Sequence, residues 1–209
     1  DHRDLHSFPT RRSSDLALSN GNSPLTFSKF DVNETNYLTN CTNGSITIGN
    51  FQNQSINLDQ GWTGISSYLI PQNTNIGVIF SLISGDLIIV KNLAGEFYQP
   101  SGNNSLVNWD YTDGYFVKTN QATTLPFIGF QPGSKDISLT AGWNLIPVLS
   151  AENVHIASLF GGNLAKVQII KEAVDIKMYW PEKAITTLEF LEPGKSYLVK
   201  MNQAATITF

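Results

Sequence analysis

The feature that most constrains this chain is an internal repeat that begins near residue 55. Four sequence blocks recur in the same order 80 to 82 residues later, which is the mark of a tandem duplication. We therefore expect two copies of one fold, module 1 (residues 55–130) and module 2 (residues 136–209). The matching blocks are Gly61-Trp62 with Gly142-Trp143, 87–91 with 167–171, 97–100 with 178–181, and 115–122 with 197–204.

Both copies have the same pattern of secondary structure. Short runs rich in Val, Ile, Tyr and Phe predict strands. Between them lies one helical period, with apolar residues at i, i+3, i+4 and i+7, namely Ile76, Ile79, Phe80 and Ile83. The fold class that follows is mainly β (α+β): tandem duplicated antiparallel β-sandwich or barrel-like modules, each with one short helix. Because a unit of about 75 residues buries too little surface alone, we expect the copies to pack together.

The start of the chain does not resemble the rest. Residues 1–16, DHRDLHSFPTRRSSDL, resemble the translation of a widely used short-read sequencing adapter, so we expect them to be an artefact at the front of a truncated reading frame. They contain all three arginines of the chain. Residues 17–54 are expected to be the end of a preceding β-domain or a linker.

Composition excludes several classes of protein. After residue 16 there are 10 Lys against 14 Asp and Glu, so a nucleic-acid surface is not expected. No apolar run is long enough to span a bilayer. The low charge and abundant Asn, Thr, Ser and Gly favour an extracellular β-protein. The single cysteine, Cys41, has no partner for an internal disulfide.

Two segments of module 2, Leu139–Pro147 and Leu191–Val199, resemble a repeat of secreted bacterial surface proteins with the pattern GWNL, a short helix, YWP and LEPGK-Y. Module 1 departs from it at Gln99, where the motif has Trp, and at Asp113-Gly114, where it has Pro-Gly. The resemblance implies a noncatalytic module of an exported, often cell-surface, bacterial polypeptide. It implies no ligand.

The residues give no support to an enzyme. His155 is the only histidine after residue 16 and falls in the predicted helix, so a Ser-His-Asp arrangement or a multi-histidine metal site is not expected. A carboxylate pair is harder to exclude, but Asp110 and Asp113 in module 1 and Glu189 and Glu192 in module 2 flank turns, where such residues are usually solvated.

No cofactor or metal site is expected either. The segment that begins at Asp31 partly copies a calcium loop, but its twelfth position is Thr42, where a glutamate is required.

The tryptophans separate into two groups. Trp62 and Trp143 recur in both modules, and burial of so large a side chain is worth several kcal/mol at about 25 cal/mol per Å², so both are predicted to lie in the core. Trp180 corresponds to Gln99. It is predicted either to fill the interface between the modules or to be exposed, where a sugar ring could stack on it together with Tyr98 and Tyr179.

Two functions remain open. The first is a structural or adhesive module of a secreted or cell-surface bacterial protein. The second is a carbohydrate-binding module attached to a secreted hydrolase, with a polysaccharide or another cell-surface component as partner and with Trp180, Tyr179 and Tyr98 as the contact residues.

Overall fold

The computed structural model describes residues 51–209 continuously and, before them, four short strands. Residues 1–16 and Cys41 lie outside the described residues. In the unit before residue 51, β1 (Gly21–Leu25) pairs antiparallel with β4 (Gly44–Ile48), and β2 (Asp31–Val32) pairs with β3 (Thr35–Asn36). Residues 51–209 form a second compact unit, which contains both modules.

Module 1 is built from short strands around one helical turn. Its elements are β5 (Gln52–Leu58), β6 (Gly61–Ile65), β7 (Ile70–Pro71), α1 (Ile76–Ile79), a 3-10 turn (Ser81–Ile83), β8 (Leu87–Lys91), β9 (Phe97–Tyr98), β10 (Tyr115–Thr119) and β11 (Thr123–Phe130).

Module 2 repeats this order with additional short elements. They are β12 (Asp136–Leu139), β13 (Gly142–Ile146), β14 (Val154–His155), α2 (Ile156–Phe160), a 3-10 helix (Gly161–Lys166), β15 (Val167–Glu172), β16 (Met178–Trp180), a 3-10 turn (Pro181–Lys183), β17 (Ile185–Thr186), β18 (Phe190–Leu191), β19 (Tyr197–Met201) and β20 (Ala205–Thr208).

The two modules share one core sheet topology, to which module 1 adds β7 and module 2 adds β14, β17 and β18. The main sheet has the order β6-β10-β8-β9 in module 1 and β13-β19-β15-β16-β17 in module 2, and all its pairs are antiparallel. A second sheet pairs the first and last strands of each module, β5 with β11 and β12 with β20. The predicted mainly β, sandwich-like, duplicated fold is therefore confirmed.

The turn before each Gly-Trp strand requires glycine. Gly61 and Gly142 have φ values of 97° and 96°, a region that other residues rarely adopt. This shared conformation fixes where β6 and β13 begin.

Each module has its own hydrophobic cluster, closed on one side by its helix. Ile76 and Phe80 in module 1 and Ile156 and Phe160 in module 2 are buried, as the helical period predicts. Tyr111 packs against both clusters. The clusters therefore touch while remaining distinct.

A buried tyrosine closes the turn that precedes the penultimate strand of each module, β10 or β19. The hydroxyl of Tyr115 accepts a hydrogen bond from the N–H of Asp110 at 2.7 Å, and the hydroxyl of Tyr197 accepts one from the N–H of Glu192 at 2.8 Å. Burial raises the pKa of Tyr197 to about 12. The two turns differ in sequence, so the equivalent bond shows that the architecture has been kept while the turn residues changed.

Backbone hydrogen bonds join the two modules along a surface that we call the junction. The N–H of Ser66 donates to the carbonyl of Gly194 at 3.0 Å, and its hydroxyl accepts from the N–H of Val148 at 3.0 Å. The hydroxyl of Ser196 donates to the carbonyl of Tyr115 at 3.3 Å. Both serines are buried. The modules thus pack together through satisfied polar groups.

The prediction that Trp62 and Trp143 lie in the core is wrong. They are 39% and 45% exposed, on the face of each main sheet that points away from the cluster. Since side chains alternate along a strand, the buried Ile65 and Ile146, each three residues further on, place the tryptophans on the opposite face. The tryptophan in the core is Trp109, which is stacked on Tyr115 with ring centroids 4.2 Å apart.

The prediction that His155 lies inside the helix is wrong: the residue is exposed and precedes the helix. It occupies the N-cap of α2, where its side chain makes no capping hydrogen bond. Its ring contacts Phe190 edge-on at 5.1 Å.

Candidate functional site

One row of side chains crosses the outer face of the module 2 sheet. Trp143 on β13 pairs with Lys200 on β19, which pairs in turn with Ile169 on β15. The register of β15 with β16 then places Trp180 beside Ile169. Because neighbouring strands lie about 4.8 Å apart, the backbones that carry the two tryptophans are separated by roughly 14 Å.

A cavity of about 560 Å³ lies along this row, within the range usual for small-molecule sites. Its polar side chains can donate as well as accept hydrogen bonds. The side-chain amide of Gln168 donates to the side-chain oxygen of Asn202, which fixes both groups. The lining residues that matter for recognition are Trp143, Trp180, Gln168, Glu182, Lys200 and Asn202.

A lysine lies close to each of the two rings. Lys200 Nζ is 5.9 Å from the ring centroid of Trp143, and Lys183 Nζ is 5.9 Å from that of Trp180. A cation at this distance is attracted to the ring, an effect worth about 0.5–1 kcal/mol at exposed sites.

The equivalent face of module 1 has only one tryptophan. Trp62 pairs with Lys118, whose Nζ is 5.7 Å from the ring centroid, but Gln99 stands at the position of Trp180. The cavity beside Trp62 is smaller, about 250 Å³, and is lined by Trp62, Lys91 and Phe116. The broad two-tryptophan surface therefore belongs to module 2.

The structure does not bring the three predicted contact residues together. Trp180 is half-buried and faces the outer cavity, whose lining belongs entirely to module 2. Tyr98 and Tyr179 pack against the hydrophobic clusters of their modules instead. The aromatic partner of Trp180 is Trp143, which sequence reasoning had placed in the core.

Sequence reasoning also missed the polar residues of the face. Lys200 and Asn202 recur in module 1 as Lys118 and Asn120. The lysines alternate with buried residues along β19 and β10, and the asparagines follow the last buried residue of each strand, so all four could have been assigned to an outer face. The sequence signal that could have identified these residues is that they recur in both modules at positions outside the hydrophobic core.

Of the carboxylates considered for catalysis, those of module 1 lie in a turn. The Asp110 carboxylate accepts hydrogen bonds from the N–H and the hydroxyl of Thr112 at 2.8 and 2.7 Å. Burial, with the charges of Asp110 and Glu96, raises the pKa of Asp113 to about 6. Asp110 therefore acts in turn formation.

In module 2, Glu192 forms a salt bridge with Lys195 at 3.0 Å. Glu189 contributes its backbone carbonyl to Ile156 N–H. Within residues 51–209 and the four strands before them, no group of three or more His, Cys, Asp or Glu side chains is placed to hold a metal ion.

A second cavity, of about 470 Å³, lies beside α1 of module 1. Its lining has no charged residue and includes the exposed apolar side chains Phe51, Val78, Leu82 and Ile128. Few polar groups converge there, so it offers little to orient a ligand.

Comparisons with family models, with curated proteins and with solved structures found no match to this chain. In the part of the chain that the structure describes, no helix has the length and apolarity needed to cross a membrane.

Proposed function

We propose that residues 51–209 form a noncatalytic adhesive module of an exported bacterial protein, and that module 2 binds a polysaccharide chain. The observation that supports this most is the row on the outer sheet face, in which Trp143 and Trp180 border one polar cavity. A contiguous apolar patch beside a few converging polar groups is typical of a binding surface.

The chemistry of the row suits a sugar. A pyranose ring has an apolar C–H face that stacks on an aromatic ring, and hydroxyls at its edge that both donate and accept hydrogen bonds. The indoles supply the first kind of contact, and Gln168, Glu182 and Asn202 supply the second. The backbones that carry the two rings lie roughly 14 Å apart, which exceeds the length of one sugar unit, so the face would bind several consecutive units of a chain.

A purely structural role is the second candidate, and the junction is the observation that favours it. Buried hydrogen bonds from Ser66 and Ser196 hold the two modules in one arrangement, as a rigid spacer between other domains would require. In that case the outer face would have no ligand.

Binding can be tested by titration of the protein with hexasaccharides of β-1,4-linked glucose, xylose, mannose and N-acetylglucosamine and of α-1,4-linked glucose. We expect a saturable change in tryptophan fluorescence with at least one of them. The variant Trp180→Ala should weaken it tenfold or more, whereas Trp180→Phe should retain most of it because a ring remains.

The matched control is Gln99→Ala, which alters the equivalent position of module 1. Its binding should equal that of the wild type. Silence across all five sugars, or equal binding by the wild type and Trp180→Ala, would overturn the proposal and favour the structural role. Release of reducing ends from any of the sugars would contradict the noncatalytic assignment.

A further inference from the structure

The outer face of the main sheet of module 1 carries two lysines beside one tryptophan. Lys118 on β10 pairs directly with Trp62 on β6, and Lys91 on β8 pairs with Phe116 on β10. Phe116 and Lys118 alternate with the fully buried Val117, so they lie on the face that points away from the core. We call the surface formed by Trp62, Lys91, Phe116 and Lys118 the module 1 face.

Both ammonium groups of the module 1 face lie close to the same indole ring. Lys118 Nζ is 5.7 Å and Lys91 Nζ is 6.0 Å from the ring centroid of Trp62. The two positive charges are therefore within about 12 Å of each other and repel. An anion that lies between them would be attracted by both and would offset their repulsion.

The carboxylates of residues 51–209 do not neutralise this pair of charges. The ion pairs in that part of the chain belong to Lys183 and Lys195. Asp59 also borders Trp62, but the cavity that it lines is a different one, shared with module 2. The module 1 face thus keeps two ammonium groups available to a ligand, although the chain as a whole has a net charge of −4 at pH 7.

A cavity of about 250 Å³ lies on the module 1 face and is lined by Trp62, Phe116 and Lys91. Its volume equals that of about eight molecules of liquid water, which is enough for one sugar ring. Trp62 is 39% exposed and Phe116 is half-buried, so both rings offer apolar surface to this space. The ligand that suits the cavity therefore has an apolar face as well as a negative charge.

The two lysines do not close the indole ring to a ligand. Lysine carries its charge on a flexible stem, so an ammonium group can turn from the ring to a carboxylate while the stem stays on the sheet. The charge-assisted hydrogen bond that it then forms is stronger than its contact with the ring. The two oxygens of a carboxylate provide acceptors for both lysines.

Module 2 lacks this arrangement, although it has a lysine at each equivalent position. Lys200 Nζ lies 5.9 Å from the ring centroid of Trp143, but Lys171, which corresponds to Lys91, makes no such contact in the described part of the chain. The cavity of module 2 also has a carboxylate in its lining, that of Glu182. The two outer faces therefore differ in charge, and we expect them to select different ligands.

We propose that the module 1 face binds a sugar unit that carries a carboxylate, as a uronic acid does. The C–H face of the sugar would stack on Trp62, and the carboxylate would accept hydrogen bonds from Lys91 and Lys118. The site does not depend on the proposed function of module 2, because it shares no residue with the cavity there. Together the two modules would offer separate sites to acidic and to neutral sugars.

The test is isothermal titration calorimetry of the whole chain with trisaccharides of α-1,4-linked galacturonic acid, β-1,4-linked glucuronic acid and β-1,4-linked mannuronic acid. Each is compared with the neutral trisaccharide of the same linkage, built from galactose, glucose or mannose. We expect at least one acidic trisaccharide to bind about ten times more tightly than its neutral counterpart. Trp62→Ala should abolish that binding, and Trp62→Phe should retain part of it because a ring remains.

Each lysine is tested by removal of its charge. Lys91→Gln and Lys118→Gln should each weaken binding of the acidic trisaccharide roughly fivefold, whereas Lys118→Arg should retain most of it because the charge remains. The matched control is Lys171→Gln, which removes one charge at the equivalent position of module 2 and should leave binding unchanged. All these side chains are at least partly exposed, and thermal unfolding of each variant would check that it folds. Undiminished binding by both glutamine variants of the module 1 face would overturn the proposal.

The outcomes separate this site from the one on module 2. Acidic sugar that still binds to Trp180→Ala but not to Trp62→Ala would support the module 1 face, whether or not neutral sugars bind to module 2. Loss of that binding in Trp180→Ala, with no change in Trp62→Ala, would overturn the module 1 face and leave the proposed function of module 2 standing. Equally tight binding of a triglutamate peptide, or no binding of any acidic trisaccharide, would also overturn the module 1 face.

Discussion

Gly114 N–H donates a hydrogen bond to the carbonyl of Leu145 across the junction at 3.2 Å. The equivalent bond exists in the opposite direction, because Ser196 N–H donates to the carbonyl of Gly64 at the same distance. The two modules therefore meet as the subunits of a symmetric dimer do, each with the same surface. The small size of a single module gives a physical reason for this arrangement, since each covers part of the other.

The closest packing at the junction leads to a prediction for Gly64→Ala. A Cβ atom at Gly64 would lie 2.5 Å from Cβ of Ala173 and 2.9 Å from the hydroxyl of Ser196, both on module 2. The modules would have to move apart, at a cost of about 1–3 kcal/mol. Urea unfolding should show this as a lower midpoint.

Gly85→Ala is the control for that variant. No atom lies within 4 Å of the Cβ that it would add, and its φ is ordinary. Alanine restricts the backbone of the unfolded chain more than glycine does, so this change should be neutral or should stabilise the protein by about 0.5 kcal/mol. Equal destabilisation by the two variants would show that the contact at Gly64 is unimportant.

Ser66→Ala tests the hydrogen bonds of the junction directly. The Ser66 hydroxyl accepts from Val148 N–H and donates to the carbonyl of Lys195, and the side chain is fully buried. Without it the N–H of Val148 loses its partner, which should destabilise the protein by about 1–3 kcal/mol. The exposed Ser138→Ala on β12 should change stability by less than about 0.5 kcal/mol. If Ser66→Ala lowers the free energy of unfolding no more than Ser138→Ala does, water must replace the lost hydroxyl.

The repeat made much of the fold predictable. Two aligned copies of one pattern located the strands that the modules share, though not the short strands β7, β14, β17 and β18. The helical period at Ile76, Phe80 and Ile83 identified the buried face of the helix correctly. These features depend on local chemistry, on side-chain alternation and on turn residues such as Gly61 and Gly142. They do not depend on which strands become neighbours.

The candidate site was less predictable because it depends on strand order. Trp143 and Trp180 are 37 residues apart, and only the order β13-β19-β15-β16 places them in one row. The assignment of Trp143 to the core rested on the size of its side chain. It ignored the alternation of side chains along the strand, which places Trp143 and the buried Ile146 on opposite faces.

The helix N-caps differ between the modules, which predicts an effect of Asn75→Ala. The Asn75 side chain accepts a hydrogen bond from Val78 N–H at 3.2 Å at the start of α1, and removal of such a cap costs about 1 kcal/mol. Chemical unfolding should show this loss. The exposed Asn103→Ala should not lower stability measurably. If both variants unfold at the wild-type midpoint, the cap contributes nothing.

The raised pKa of Asp113 predicts a specific dependence of stability on pH. Burial and the negative charges of Asp110 and Glu96 raise the pKa from its ordinary 3.8 to about 6. Between these two values the folded protein holds the proton more tightly than the unfolded chain does, so stability falls as pH rises from about 4 to 6 and then levels off. The ionised side chain therefore destabilises the fold at neutral pH.

Asp113→Asn should remove that penalty. Because the carboxyl group is only partly buried and the residue keeps substantial contact with water, solvent screening reduces the expected gain to about 1 kcal/mol at pH 7, and the gain should vanish near pH 4. Asp136→Asn is the opposite control. Hydrogen bonds from Thr208 and Ser134 lower the Asp136 pKa, so its stabilising effect is present above about pH 4 and lost as pH falls. Unfolding of the two variants across pH 3 to 8 should give differences from the wild type of opposite sign at neutral pH. A pH-independent effect of Asp113→Asn would contradict the electrostatic cause.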